Sequence, residues 1–241
     1  MKGIIDILIL IILVCGLWTG YKKGLIMGIL GMLVLMVSIY GANLLSNTFS
    51  YDVVVALKPF AAGFVEDKIE GEDGAVESLG WENEKNYSFE DLISMHEDEL
   101  DELAVLAYEK MGVSTSSAEI MAVSALEYAE SEDESFTDAI IHELCTRISY
   151  VGCFLIAFAL IAIILTVLIN LPNLSYRIPP LELANDIGGT VLGLIMAMGY
   201  CAILVWVLKF MGIIIGVETL AETTLGNFFL KRDIMTAILG I

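Results

Sequence analysis

The chain has 241 residues, of which 57% are hydrophobic, and its formal net charge is −19. This composition excludes an ordinary soluble domain, and the acidity argues against nucleic acid as a partner because phosphate binding needs a basic surface. The charge is unevenly distributed, since 24 of the 31 acidic residues but only 4 of the 12 basic residues lie within residues 66–147. The composition therefore predicts a nearly neutral membrane domain with an acidic domain inserted into it.

Two apolar runs in residues 1–45 flank the segment Gly20-Tyr21-Lys22-Lys23-Gly24. One helix through both runs would place the two lysines near the middle of the bilayer, at about 2.5 to 3.5 kcal/mol each. We therefore predict two spans joined by a tight, charged turn, with the second span over residues 25–45. Small residues four apart let helices approach closely within lipid, and four glycines here are candidates for helix packing: Gly16, Gly20, Gly24 and Gly28.

The start of the first span has features of a signal peptide, because Lys2 precedes an apolar run that ends near Cys15. Val14 stands where a small residue would precede a processing site, so we expect a retained signal anchor. Asp6 is a polar intramembrane candidate. It is interpreted either as an interfacial or capping residue or as a functional carboxylate.

The segment after the hairpin, residues 46–65, mixes apolar side chains with Lys58 and Pro59. This pattern predicts an interfacial amphipathic helix that is broken at Pro59. Residues 66–87 then combine glycines and acids without clear periodicity, which is typical of a flexible linker. We expect this linker to form the N-terminal part of an acidic helical insert over residues 66–147.

Within the insert, three helix starts are predicted from serines that stand three residues before an acid, which is the spacing of a capping box. The first of these helices is expected to end at Gly112. The third should continue without interruption into the apolar run that ends near Ile169, giving a third span that extends beyond the bilayer. The serine and acid pairs are Ser88 with Asp91, Ser116 with Glu119, and Ser135 with Asp138.

The last part of the membrane domain, residues 148–216, is predicted to hold spans three and four. Asn185 and Asp186 should cap the fourth span, residues 187–207, and Asp186 is the second polar intramembrane candidate. Gly189 and Gly193 repeat the four-residue spacing and complete the packing candidates. Residues 217–241 are predicted to form an amphipathic tail at the interface.

Sites of chemistry are not evident in the sequence, which has no nucleophile elbow, phosphate loop or zinc-protease motif. The four cysteines form no disulfide or metal pattern, so we expect no catalytic, cofactor or metal residues. His96 starts an acid-rich run that is interpreted as a solvated helix, with weak divalent binding as the alternative. His142, just before the third span, is interpreted as an interfacial structural residue, with a proton relay as the alternative.

The early acid Asp6, the glycines around the basic turn and the pair Gly189-x-x-x-Gly193 resemble the colicin V production protein (CvpA) family of bacterial four-span membrane proteins. The resemblance covers roughly half of the chain and leaves the acidic insert unexplained. Relatives carry Asp-Arg where this chain has Asn185-Asp186. The resemblance implies a role in toxin production, export or envelope maintenance, and some relatives are fused to an extracytoplasmic serine protease, which implies an anchor or scaffold.

The sequence thus predicts an all-α polytopic membrane protein with four transmembrane helices and an inserted acidic helical subdomain. We expect a non-enzymatic scaffold or accessory factor. A small channel or transporter is the alternative, a membrane enzyme is the third hypothesis, and ion flux through liposomes would separate the first two. The expected partners are membrane lipid, a basic extracytoplasmic protein or wall component bound by the insert, and a second copy of the chain.

The expected location is the bacterial plasma membrane. Lys22, Lys23 and Arg177 favour a cytoplasmic face for the turn and for the loop between spans three and four. Together with the resemblance, this places both termini and residues 46–147 on the extracytoplasmic side. Basic residues elsewhere, including Lys58, favour the opposite orientation.

Overall fold

A computed structural model describes residues 2–81, 87–171, 182–210, 223–232 and 234–239. Over these ranges the chain is helical and contains no strand. The helices are α1 (Lys2–Glu70), α2 (Ala75–Ser78), α3 (Phe89–Met95), α4 (Leu100–Lys110), α5 (Thr115–Glu132), α6 (Phe136–Asn170), α7 (Glu182–Phe210), α8 (Thr224–Arg232) and α9 (Ile234–Leu239). In the described residues three helices, α1, α6 and α7, are long and apolar enough to cross a membrane. For the described residues, the prediction of an all-α fold is therefore confirmed, and three of its helices are candidates for crossing a membrane.

The chain divides into two compact units. The apolar unit has its described residues within Met1–Thr48, Val151–Leu208 and Thr219–Ile241, and the acidic unit within Phe49–Tyr150 and Lys209–Glu218. Helices α1 and α6 each contribute residues to both units.

Helix α1 is interrupted at Gly24, where φ is 75° and ψ is −179°. This φ lies in the left-handed region, which glycine adopts at little cost because it has no Cβ. We call residues 2–23 the first arm and residues 25–70 the second arm.

The two arms run in opposite directions along α7. In the first arm, residues earlier in the sequence contact residues later in α7. In the second arm, residue numbers increase in the same direction as those of the α7 residues that they contact. The chain therefore reverses direction at Gly24. The contacts are Gly20 with Gly189, Gly16 with Ala197, Gly28 with Leu192, Gly31 with Met196, and Leu35 with Gly199.

Helices α6 and α7 pack against each other through aromatic rings. The ring centroids of Phe154 and Trp206 are 5.2 Å apart and those of Phe158 and Tyr200 are 6.2 Å apart, an order that makes the two helices antiparallel. Gly41 of the second arm meets Ile161 of α6. Successive segments of the apolar unit therefore alternate in direction, as in an up-and-down bundle.

The acidic unit has its own hydrophobic core, built from the end of α1, the short helices and the start of α6. At its centre Tyr108 is fully buried, and its hydroxyl donates a hydrogen bond of 3.2 Å to the carbonyl of Ile140. Burial, reinforced by the nearby Glu143 carboxylate, raises the pKa of Tyr108 well above its usual value. Other buried members of this core are Val65, Ile69, Ala75, Trp81, Leu103, Met121 and Leu144.

Residues 46–65 are helical as predicted, but the predicted break at Pro59 and the predicted linker over residues 66–81 are wrong. Helix α1 continues to Glu70 with Pro59 inside it. Because proline has no amide hydrogen, the carbonyl of Val55 lacks its helical hydrogen-bond partner. Both Val55 and Pro59 are exposed. Residues 66–81, which were predicted to form a linker, contain helix and buried side chains such as Ile69. Burial of apolar residues at helical spacing stabilises this structure despite the acids between them. Residues 82–86 of that prediction lie outside the described residues.

The helix-start predictions have mixed outcomes. Ser88 and Asp91 form the predicted reciprocal capping box, and hydrogen bonds from Ser88 lower the pKa of the Asp91 carboxyl. Ser135 accepts a hydrogen bond of 3.1 Å from the amide of Asp138, also as predicted. The start at Ser116 is wrong, because α5 already begins at Thr115.

The predicted end at Gly112 is confirmed, since this glycine has a φ of 87° just after α4. The segment before it is not one helix, however, because the backbone leaves helical geometry at His96 between α3 and α4. A 3₁₀ turn, Glu97–Glu99, joins these two helices.

Helix α6 continues without interruption to Asn170, as predicted. Helix α7 begins at Glu182, so Asn185 and Asp186 lie inside it, and the prediction that they cap it is wrong. The loop predicted between these helices falls at residues 172–181, outside the described residues. In the described part of the predicted tail, α8 and α9 are two short helices with Phe229 and Met235 buried.

Candidate functional site

Five of the six glycines predicted to pack helices meet where the first arm crosses α7. A Cβ placed on Gly20 would collide with the carbonyl oxygen of Gly189 and lie 2.8 Å from the Cα of Gly193. A Cβ placed on Gly16 would lie 2.7 Å from the carbonyl oxygen of Gly193. Real Cβ atoms essentially never come within 3.0 Å of such atoms, so the two backbones are in direct contact. We call this contact the glycine seam: Gly16, Gly20 and Gly24 against Gly189 and Gly193.

Gly28, the sixth candidate, lies outside the seam. A Cβ there would be 3.0 Å from side-chain atoms of Leu192, which can move, whereas a Cβ on Gly16, Gly20, Gly189 or Gly193 would meet main-chain atoms within 3 Å. Close backbone contact of this kind adds van der Waals packing between helices in lipid, where apolar side chains gain little from leaving the solvent.

The turn at Gly24 is held by a side chain from α7. The Oδ1 atom of Asn185, a residue that is 5% exposed, accepts a hydrogen bond of 3.0 Å from the backbone amide of Leu25. The break at Gly24 makes Leu25 the first residue of the second arm, where an amide lacks an intrahelical acceptor. Asn185 therefore caps the second arm and not its own helix, which explains why the predicted cap of α7 is wrong.

Asp186 follows Asn185 but faces a different environment. It is half-buried, and its Oδ1 atom is buried without a hydrogen-bond partner among the described residues. Its backbone carbonyl accepts a hydrogen bond of 2.7 Å from the hydroxyl of Thr190. The carboxylate thus takes no part in the turn.

Asp6 lies in the first arm, far along the chain from the turn, and binds a helix N-terminus. Its two carboxylate oxygens accept hydrogen bonds of 3.1 Å from the amide of Thr224 and 2.9 Å from the amide of Leu225. These amides belong to the first two residues of α8, and a negative charge is favourable at the N-terminus of a helix. Asp6 therefore connects the start of the first arm to the C-terminal helices.

A second set of small residues, which the sequence interpretation missed, lies on the second arm. Ser38, Ala42 and Ser46 are fully buried and follow one another at intervals of four residues. The hydroxyls of Ser38 and Ser46 have no hydrogen-bond partner among the described residues. Their small size, rather than hydrogen bonding, therefore accounts for their buried position. The four-residue spacing was the available signal, but it was sought only among glycines.

The two histidines lie in aromatic stacks. His96 stacks on Trp81 with ring centroids 4.3 Å apart, and Glu99 accepts a hydrogen bond of 3.1 Å from the indole nitrogen of Trp81. His142 stacks on Tyr128 at 4.0 Å. Both imidazoles therefore help to pack the acidic unit.

The described residues contain no group of three or more His, Cys, Asp or Glu side chains that could hold a metal ion, and all four cysteines are free. The features that the structure does assemble are a backbone seam and two helix caps made by side chains distant in sequence. The resemblance to the CvpA family rests on sequence motifs alone. No protein-family model, curated protein or solved structure matches the chain.

Proposed function

We propose that the chain is a non-enzymatic membrane scaffold that crosses the bilayer four times and presents the acidic unit outside it. The observation that carries this proposal is the reversal of direction at Gly24. At 1.5 Å per residue, the first arm is about 33 Å long and residues 25–48 of the second arm about 36 Å, so each is long enough for a hydrocarbon core of about 30 Å. With α6 and α7 these arms provide four crossings.

Exposed apolar side chains support the same assignment. Large hydrophobic residues that face away from the rest of the chain occur on all four segments of the apolar unit, as expected where lipid replaces water as the surrounding solvent. Examples, one from each segment in chain order, are Ile11, Met36, Ile163 and Val191, which are 52%, 58%, 61% and 51% exposed.

The biological role that we propose is CvpA-like, in toxin production or export or in envelope maintenance, at the bacterial plasma membrane. This part of the proposal rests on the sequence resemblance. Asn185 stands where relatives carry an aspartate, and this difference is compatible with the proposed role. The amide of Leu25 needs only a hydrogen-bond acceptor, which either side chain provides.

The proposed orientation places both termini and the acidic unit outside the cytoplasm, with Lys22 and Lys23 inside. In a variant without the four native cysteines, we expect an impermeant maleimide added to intact cells to label a cysteine at Ser94 and not one at Lys22. The reverse pattern would invert the orientation. Labelling of both positions would contradict separate crossings by the two arms.

The acidic unit is proposed to dock a basic partner. Around the start of α4, four exposed acids make no side-chain hydrogen bond or ion pair within the described residues: Glu97, Asp98, Asp101 and Glu102. Unpaired exposed charge of one sign accelerates association with an opposite charge over a screening length of about 8 Å at physiological salt. The expected complex is therefore strongly salt-dependent.

To test this docking surface, we would replace Glu97, Asp98, Asp101 and Glu102 with glutamine and measure the affinity of the full-length protein for an oligolysine peptide over a salt series. We expect roughly tenfold weaker binding at low salt and a shallower salt dependence. These acids are exposed, so the fold should be retained.

The matched control removes four exposed acids from the C-terminal end of α5 and the turn that follows it: Glu127, Glu130, Glu132 and Glu134. This variant carries the same net charge but should keep most of the affinity. If both variants lose affinity equally, the acids act only through total charge, and the proposed docking surface is wrong.

A further inference from the structure

Two neighbouring cavities in the apolar unit share part of their lining. The first, of about 200 Å³, lies between both arms, the end of α6 and α7, and the second, of about 300 Å³, lies between the first arm and α7. Thr19, Met196 and Tyr200 line both cavities and so mark their junction. We call the two cavities together the interhelical groove.

One end of the groove is polar and cationic. Lys23, Thr166 and Asn170 line the first cavity close to the turn at Gly24. Lys23 is exposed and makes no ion pair within the described residues. Its neighbour Lys22 differs, because its ammonium lies 4.8 Å from the centre of the Trp18 ring.

The charge of this end is opposite to that of the whole chain. The net charge of the protein is −19, yet neither cavity has an aspartate or glutamate among its described lining residues. The surroundings of Lys23 therefore favour an anion.

The other end of the groove is apolar. Met27 and Val34 continue the first cavity, and Ile11, Ile12 and Ala197 line the second. From Lys23 to Ile11 the first arm covers about 18 Å at 1.5 Å per residue, which is close to the thickness of one leaflet, about 15 Å. A ligand that fills the groove is thus an amphiphile, with an anionic head at one end and one hydrocarbon chain.

We propose that the interhelical groove binds one anionic phospholipid. Its phosphate lies at Lys23 and Asn170, and one acyl chain passes Thr19 and Met196 to reach Ile11. This inference rests on the proposed function, because it requires the apolar unit to lie in a bilayer. It adds a specific lipid site that a scaffold does not need.

Cys15 provides the test, since it is exposed and lines the apolar end of the groove. In detergent-purified full-length protein whose other three cysteines are replaced by alanine, a permeant maleimide would label this thiol during titration with short-chain phosphatidylglycerol or phosphatidylcholine. We expect half-maximal protection at a roughly fivefold lower concentration of the anionic lipid, the effect of about one lysine near a lipid surface. Inorganic phosphate, which has no acyl chain, should give no protection.

Three variants separate the contributions to binding. Lys23→Gln should abolish the preference for phosphatidylglycerol and keep the protection by phosphatidylcholine. Thr19→Phe, at the junction of the cavities, should remove protection by both lipids. Lys22→Gln is the matched control, and it should keep the fivefold preference because that lysine faces Trp18.

Equal protection by the two lipids in the parent protein, or an equal loss in Lys22→Gln and Lys23→Gln, would overturn the proposal. Protection by inorganic phosphate alone would replace the lipid with a free anion. Because binding is measured in detergent, it does not depend on orientation. Absence of lipid binding, together with labelling of the cysteine at Ser94 and no labelling of the one at Lys22, would refute the lipid site and leave the scaffold intact.

Discussion

Replacing Gly20 with leucine is expected to prevent most of the protein molecules from reaching the folded state. A Cβ at this position collides with the carbonyl oxygen of Gly189, and a main-chain atom in the middle of a helix has no room to withdraw. The first arm and α7 would have to separate, at a cost of about 3 kcal/mol or more, which is the upper range for overpacked sites. The measurements are the yield of monodisperse protein in mild detergent and its melting temperature.

The control for this variant is Gly152→Leu. Gly152 lies in α6 within the same unit, and a Cβ there meets no atom within 4 Å. We expect its yield and melting temperature to match those of the parent. Gly71 is not a suitable control, although the sequence places it in a linker, because a Cβ at Gly71 would collide with the carbonyl of Asp67. Equal stability of the Gly20 and Gly152 variants would show that the glycine seam is incidental.

Replacing Arg147 with leucine should destabilise the acidic unit by about 3 to 5 kcal/mol, the range measured when one partner of a buried ion pair is removed. The Arg147 Nε atom lies 2.5 Å from the Oε1 atom of Glu143, and the two side chains are only 15% and 10% exposed. Without the guanidinium, the Glu143 carboxylate is left buried and uncompensated. Chemical denaturation of the purified protein, followed by tryptophan fluorescence, would report the change through Trp81.

The double variant Glu143→Leu, Arg147→Leu should regain most of this loss, because it removes the unpaired charge as well as the pair. Lys68→Leu is the matched control, since Lys68 lies 3.7 Å from Asp67 in an ion pair exposed to solvent and should contribute less than about 1 kcal/mol. A double variant as unstable as Arg147→Leu would show that the arginine acts through packing of its aliphatic chain and not through its charge.

The long helices could be predicted from the sequence because their signal is local. Apolar runs mark α1, α6 and α7, and serines three residues before an acid mark the starts of α3 and α6. The errors arose where the local sequence pattern and contacts with distant residues favour different structures. The acids after Val65 indicated a linker, but Ile69 is four residues on and completes a face that the core of the acidic unit buries.

The contacts of the candidate site were harder to predict, since they join residues far apart in the sequence. Asn185 has the chemistry of a helix cap, and the sequence assigned that cap to the nearest helix start. The amide that it binds belongs to Leu25, 160 residues away. Asp6 likewise caps a helix that begins at Thr224. Residue type indicates what such a side chain can bind, whereas only the fold determines which partner it reaches.

The cap on Leu25 also sets an order of events during biosynthesis. The ribosome makes Leu25 about 160 residues before Asn185, which at 5 to 20 residues per second is a delay of about 8 to 32 s. Throughout that interval the nascent hairpin has an uncapped amide at its turn and an open row of glycines towards lipid. A truncated chain that ends before α7 keeps both defects permanently, because it lacks both Asn185 and the glycines that cover the first arm.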